Sequence, residues 1–423
     1  MKNKQIFLSI LTVGLALGTA WAVRGQFGHE QGAAWAGGIG ALCLILVSRR
    51  KDWYDKTFSI AMAAAFGWGI SGAMSYGVVV GYGKASDFIN VFYGLLMLFV
   101  LGVLYGFIGG GFFGLALMDS KTNRVKWHAI VTEMVAIGLL TYAILINQLG
   151  WYMTPPRSEV WAACLGAAIA LGWHIIRYQY HSALKVAVWS ALGAGFGFAF
   201  GNFLQVMGWV SEISFNFWNV MEYSIGFFGG IGMAYGTLTA TWPVTEEKRQ
   251  PHSNLIPILF VALFVPFVVW DQSFINDRFD FILENGGPAT TVTYFKLLAF
   301  VAILFVGTFV LVRNYSSEVK RMGVSYSVVK EFFILYAAVY ILLSLLITGV
   351  FVHPLEQYLY VLNLLAIVFL ISRANGSFEV SANKPVIWLT VAIITVTVIA
   401  LLSVIAMNSH DAMYGSHIRF GSK

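Results

Sequence analysis

The chain has 423 residues, of which 58% are apolar and only 11% charged, with a formal charge of +6. A soluble globular domain carries about 25% charged residues, so that class is excluded. The positive charge does not imply nucleic acid, because the Lys and Arg are scattered through short loops and form no basic stripe.

Apolar runs of about 20 residues recur from end to end, the length with which an α-helix crosses roughly 30 Å of hydrocarbon. They must be helical, since a lipid-exposed segment has to satisfy its own backbone hydrogen bonds. The expected fold is an all-α polytopic integral membrane protein with about thirteen spans, at 6–23, 32–48, 57–81, 91–118, 127–147, 158–176, 184–207, 218–242, 254–270, 292–312, 328–351, 356–372 and 385–407. With the N-terminus cytoplasmic, 19 of the 26 Lys and Arg fall inside, among them Arg49-Arg50-Lys51, Lys121/Arg124/Lys126, Lys248-Arg249 and Arg313/Lys320/Arg321. This positive-inside pattern points to a plasma membrane, of the bacterial inner-membrane kind, with the C-terminus outside. The start, Lys2-Asn3-Lys4, an apolar stretch and Ala20-Trp21-Ala22, also fits a cleavable signal peptide. A retained first helix is favoured by an internal repeat.

In that repeat, Trp35 to Ala41 of the second span matches Trp161 to Ala167 of the sixth. Phe66-Gly67-Trp68-Gly69 of the third matches Phe196-Gly197-Phe198-Ala199 of the seventh, and Tyr105 to Gly110 of the fourth matches Ile225 to Gly230 of the eighth. Three matches in one order are read as tandem duplication of a four-helix unit, 1–126 and 127–250, in parallel orientation. Of the 43 glycines, 35 precede residue 250. Residues 1–250 are therefore expected to be a glycine-rich duplicated core, and 251–423 a second transmembrane layer of five spans with a polar, solvated outer loop at 271–291.

Glycines recur every fourth residue at Gly102, Gly106, Gly110 and Gly114, and at Gly193, Gly197 and Gly201. On a helix that spacing lines one face with small residues and lets backbones approach closely.

Candidate binding residues fall in two clusters on the outer side. The first, Arg24-Gly25-Gln26-Phe27-Gly28-His29-Glu30-Gln31-Gly32, runs without a break into the second span and is expected at a helix N-terminus, where exposed N–H groups favour an anion. Arg24 offers a bidentate donor fork, His29 changes charge near neutral pH, and Glu30 exchanges a proton; Gln26 and Gln31 add amides. The second cluster comprises Asn202, Gln205, Glu212, Asn216, Asn219 and Glu222, of which Asn202, Gln205, Asn219 and Glu222 are taken as solute contacts facing the first cluster across one cavity. Polar groups placed where helices pack are functional by default. Glu133, an isolated carboxylate inside the fifth span, joins His29 and Glu30 as a proton-coupling candidate, with a structural hydrogen bond as the rival reading. Ser71, Ser75 and Tyr76 offer hydroxyls in the third span.

No metal ligand set, cofactor site or catalytic residue is assigned. His29-Glu30 lacks the second histidine of a zincin, and no Gly-x-Ser-x-Gly elbow or Walker loop occurs. Cys43 and Cys164 lie in apolar runs and are read as core residues. Trp53, Trp151, Tyr152, Trp209 and Trp218 at span ends are read as interfacial belts.

The expected function is a secondary transporter, a permease moving a small polar or anionic organic solute with protons as the coupling ion. Two alternatives stay open: a membrane-embedded transferase acting on a lipid-linked or periplasmic substrate, with His29 as general base, and a non-catalytic membrane subunit binding protein partners through the last five spans. The expected partners are the solute and membrane lipids.

Overall fold

The computed structural model describes residues 2–154, 158–244, 254–284, 287–349, 352, 354–382, 384–411 and 413–421. The expected basic pair Lys248-Arg249 and the domain boundary at 250 lie outside them. The chain is all-helical, with no strand among the described residues. The helices are α1 (Lys2–Arg24), α2 (His29–Ser48), α3 (Lys51–Tyr54), α4 (Thr57–Gly72), α5 (Gly77–Tyr82), α6 (Phe88–Met118), α7 (Trp127–Tyr142), α8 (Val160–Arg177), α9 (His181–Val210) and α10 (Phe217–Leu238). They continue with α11 (Leu255–Ile258), α12 (Val265–Ser273), α13 (Asp280–Glu284), α14 (Ala289–Asn314), α15 (Ser317–Met322), α16 (Tyr326–Ser344), α17 (Pro354–Arg373) and α18 (Pro385–Met407). A π-helical turn joins α11 to α12 into one rod, and others extend α7 and α16. Among the described residues, eleven helices are long and apolar enough to cross a membrane.

Six of the described helices close a ring in which each packs against the next: α1, α2, α4, α6, α9, α10 and back to α1. Glycines set the spacing. A Cβ at Gly106 of α6 would stand 2.2 Å from the Ser190 carbonyl oxygen of α9, one at Gly193 of α9 the same distance from that of Phe228, and one at Gly226 of α10 2.4 Å from that of Leu17. Any side chain there would push two backbones apart, so the fourfold glycine spacing seen in the sequence is a contact surface. In the middle of the ring the Trp68 indole lies against Gly37 of α2, Gly109 of α6 and Gly229 of α10, where added Cβ atoms would fall 2.6, 2.6 and 3.2 Å from it.

The ring draws α1, α2, α4 and α6 from residues 1–126 but only α9 and α10 from 127–250. The α7–α8 pair stands outside, against α6. Around the ring, α16 lies on α2, α17 on α1 and α18 on α6 and α9. α2 is buried throughout its apolar window, whereas α7 and α18 are each buried over only 22% of theirs and α14 and α17 over 28%. Their exposed Leu139, Leu297, Leu365 and Leu401 form the surface that hydrocarbon would cover.

Three expectations need correction. The single span 57–81 is two helices, α4 and α5, separated by Ala73-Met74-Ser75-Tyr76. The freed carbonyls are met from α6: the Tyr105 hydroxyl donates to Met74 at 2.9 Å and lies 3.4 Å from the Gly72 oxygen. Irregular backbone at membrane depth persists only where protein or a cavity satisfies it. Trp53 is not interfacial; it is fully buried, edge-on to Trp242, with the Arg50 guanidinium 4.7 Å from its ring. The loop 271–291 is partly folded, with Phe274, Phe279 and Ile282 buried, although Asp271, Asp277 and Asp280 are exposed as expected.

The basic residues read as topology signals also cap helix ends. Lys56 Nζ donates to the Leu117 and Asp119 carbonyls at the end of α6, Lys185 Nζ to Thr239 after α10, and Arg49 to Ile371 and Ala374 at the end of α17. A cation there meets both the unsatisfied carbonyls and the negative pole of the helix.

Gly106→Leu is expected to lower stability by at least the ~1–3 kcal/mol of an overpacked core, while Gly77→Ala, whose Cβ would meet nothing within 4 Å, stays near wild type. Thermal unfolding of the purified protein in detergent compares the two.

Candidate functional site

Arg24 is the last residue of α1, and its side chain is only 2% exposed. Such a charge must be neutralised locally. Three elements converge on it. Glu222, one turn into α10, accepts from Arg24 Nη1 at 3.0 Å. Tyr76, at the break between α4 and α5, accepts from the same Nη1 at 2.5 Å and donates to Glu222 Oε1 at 2.5 Å. His29, first residue of α2, places Nδ1 2.7 Å from Arg24 Nη2. A guanidinium only donates, so Nδ1 accepts and the neutral ring carries its proton on Nε2. Protonating the ring would exchange that bond for repulsion between two cations.

These groups line a cavity of about 440 Å3, together with Phe27, Gly77, Trp218 and His417. Beneath it lies an aromatic layer. Trp21 is edge-on to Trp68 and to Tyr105, Tyr105 packs on Phe198, and the Arg24 guanidinium stands 5.4 Å from the Trp21 ring. Trp21, Trp68, Tyr105 and Phe198 are all fully buried. Among the described residues, Arg24 Nε and the indole nitrogens of Trp21 and Trp68 are buried without a hydrogen-bond partner. Three unpaired donors in one column are unusual, because burying a donor without an acceptor costs about 1–3 kcal/mol.

No family model, curated protein or solved structure matches this chain.

The structure joins Arg24, His29 and Glu222, drawn from both sequence clusters, and disperses the other candidates. Gln26 is buried, with its carbonyl accepting from Arg278 at 3.3 Å. Glu30 is exposed, and Gln31 donates to Gln272 at 2.6 Å, toward α12. Asn202 and Gln205 bond each other at 3.1 Å on α9, with the Asn202 amide against Gly83; neither lines the cavity. Asn219 donates to the Ala22 carbonyl at 3.3 Å and to the Tyr360 hydroxyl. Glu133 is not isolated: its carboxylate is 2.6 Å from Arg177 and 3.1 Å from His174, tying α7 to α8. Since α6 separates Phe88 at the Arg24 end from Met118, and α7 starts beyond it, this triad lies at the opposite end of the bundle.

Several cavity residues were missed. From the sequence alone, Trp218 falls in an interfacial belt, Tyr76 offers only a hydroxyl in the third span, and His417 has no assigned role. The signal available for Tyr76 was the run Gly72-Ala73-Met74-Ser75-Tyr76-Gly77, whose glycines bracket a break. Nothing local marks His417. It is delivered by a strap, 413–421, that crosses α5 and the start of α6. His417 N donates to the Gly81 carbonyl at 2.9 Å, and Asn90 accepts from the Arg419 and Phe420 amides at 2.7 and 3.0 Å while donating to the Phe420 carbonyl at 2.9 Å. Lys84 follows α5 and packs 3.8 Å from the Trp209 ring, and burial brings its ammonium down to about 8.

Two outcomes are expected. Arg24→Ala leaves Glu222 buried without its cation and lowers stability by about 3–5 kcal/mol, whereas Arg24→Met combined with Glu222→Met recovers most of that loss; thermal melts of the single and double variants measure it. Asn90→Ala removes the anchor of the strap, so a cysteine at Gly77 in a Cys43→Ala/Cys164→Ala background reacts faster with an impermeant maleimide than it does with Asn90 in place.

Proposed function

We propose that the chain is a secondary transporter for a small polar or anionic organic solute, driven by protons. The observation that supports this most is the polar cavity of about 440 Å3 at one end of the helix ring, set beside an interrupted helix and above an aromatic layer that closes the path below. Discontinuous helices at a central site are a recurrent device of secondary transporters, and close glycine faces let helices rock past one another. The unpaired indole donors of Trp21 and Trp68 give a descending solute successive polar contacts. In this reading Arg24 and Glu222 hold the solute and Tyr76 positions Glu222. His29 takes the coupling proton, because its protonation breaks a contact to Arg24 and so changes the site; Glu30 stands beside it in sequence as a relay. Glu133, held by His174 and Arg177, serves as a helix tie. The proposal includes thirteen crossings counting α4–α5 as one, descent of the two four-helix units from one ancestor, and a cavity facing outward from a plasma membrane with the N-terminus inside and the C-terminus outside.

A second reading, a membrane-embedded transferase, is favoured by an apolar hollow of about 300 Å3 between α4, α6, α7 and α8. Its lining runs from Leu139 and Val135 on the exposed face of α7 to Ala73 at the helix break, a route by which an acyl or polyprenyl chain would bring a head group toward Tyr76.

One experiment separates them. Proteoliposomes with an imposed pH gradient are expected to accumulate a member of a radiolabelled panel of amino acids, organic acids and sugars, with Arg24→Lys reducing uptake at least tenfold and His29→Gln flattening its dependence between about pH 5 and 8. Absence of uptake across the panel, with turnover of a lipid-linked donor that is lost in His29→Ala, would establish the transferase instead.

A further inference from the structure

The transport reading of the Arg24 cavity leaves its solute class open, and the charges that line it narrow that class. Glu222 is the carboxylate paired with Arg24, and the two meet at 3.0 Å with side chains 2% and 8% exposed. With both side chains this buried, whatever separates the two groups has to leave both compensated, because a buried charge without a partner is strongly unfavourable. A polyol offers dipoles to each and compensates neither. A monoanion satisfies Arg24 and strands Glu222, and a monocation does the reverse.

A zwitterion meets both demands. Its carboxylate takes the place of Glu222 on the guanidinium, its ammonium takes the place of the guanidinium on Glu222, and the charge of the site is unchanged. The neighbours are suited to that exchange. Arg24 Nε is buried without a partner among the described residues, so the fork has a donor in reserve for a second carboxylate oxygen. Tyr76 holds Glu222 Oε1 at 2.5 Å and keeps that carboxylate in place when Oε2 turns to an ammonium. Phe27 and Trp218 add apolar wall for a side chain or for methyl groups on nitrogen. Because the two protein charges touch, the charges of the solute must be close as well, one carbon apart.

We propose that the Arg24–Glu222 cavity binds an α-zwitterion, of the amino-acid or betaine class, by exchanging its internal ion pair for two ion pairs with the solute. This inference rests on the transport reading of the same site.

The test is thermal unfolding of the full-length purified protein in detergent, at constant ionic strength, with L-alanine, L-glutamine or glycine betaine as zwitterions and lactate, gluconate or sorbitol as comparators. A rise of several degrees is expected with at least one zwitterion and with no comparator. It is expected to vanish in Glu222→Gln, and also in Gly77→Leu, whose side chain extends into the cavity from a position where an added Cβ touches nothing within 4 Å, with the melting transition of the unliganded variant checking that the fold is kept. A shift with lactate, gluconate or sorbitol and none with the zwitterions overturns the assignment while leaving a solute site. A zwitterion shift that persists in Gly77→Leu places binding elsewhere and also overturns it. If no probe shifts the melting point, the assignment falls, and the transport reading is then decided separately by uptake in proteoliposomes.

Discussion

A guanidinium 2% exposed at the end of α1 has to be neutralised where it lies, and that requirement organises one whole end of the molecule. Glu222 comes from α10, His29 from α2 and Tyr76 from an interruption between α4 and α5. Each of those elements must arrive within about 3 Å of the same group, which leaves little freedom in how the four segments are placed. The interruption places Tyr76 on Arg24, and the Tyr105 hydroxyl donates to the Met74 carbonyl that the break leaves free.

Close backbone approach makes that convergence possible. Where α6, α9, α10 and α1 cross, glycines remove the side chains that would hold the helices apart, and Trp68 occupies the space between glycines of α2, α6 and α10. A large rigid ring set against glycine surfaces leaves few voids, so the aromatic layer closes the path beneath the cavity without help from a loop. The two ends of the bundle then differ in character. At one end Arg24 and Glu222 are internal and paired with each other; at the far end Lys56, Lys185 and Arg49 reach helix carboxyl termini, and Glu133 joins α7 to α8.

The outer helices obey a different rule. α7, α14, α17 and α18 expose much of their apolar surface, and what they share is composition and not a fixed neighbour. α18, the last helix of the chain, returns to lie on α6 and α9, and the strap that follows it reaches Gly81 and Asn90 beside the cavity. Burial therefore varies within both halves of the chain: α7 belongs with the exposed set, and α16 packs on α2.

What the sequence determined by itself is whatever depends on local composition. Apolar runs of membrane length, the near absence of charge within them and the fourfold glycine spacing placed the helices to within a few residues and identified the faces that pack, because hydrocarbon thickness and helical period act on contiguous residues. Arg24, His29 and Glu222 stood out for the same reason, as polar groups where such groups are costly. Tertiary structure alone decided which of the polar residues meet. Arg24 and Glu222 are 198 positions apart, and the periodicity of α1 or α10 carries no record of the crossing that joins them. Gln205 lay on the right kind of face but accepts from Asn202 on its own helix, away from the cavity, Glu133 found a histidine and an arginine 41 and 44 residues away, and His417 reached the cavity through backbone bonds that any residue type can make. Pairing of buried charges is a long-range condition, satisfied by the arrangement of whole helices, and it becomes visible only when those helices are in place.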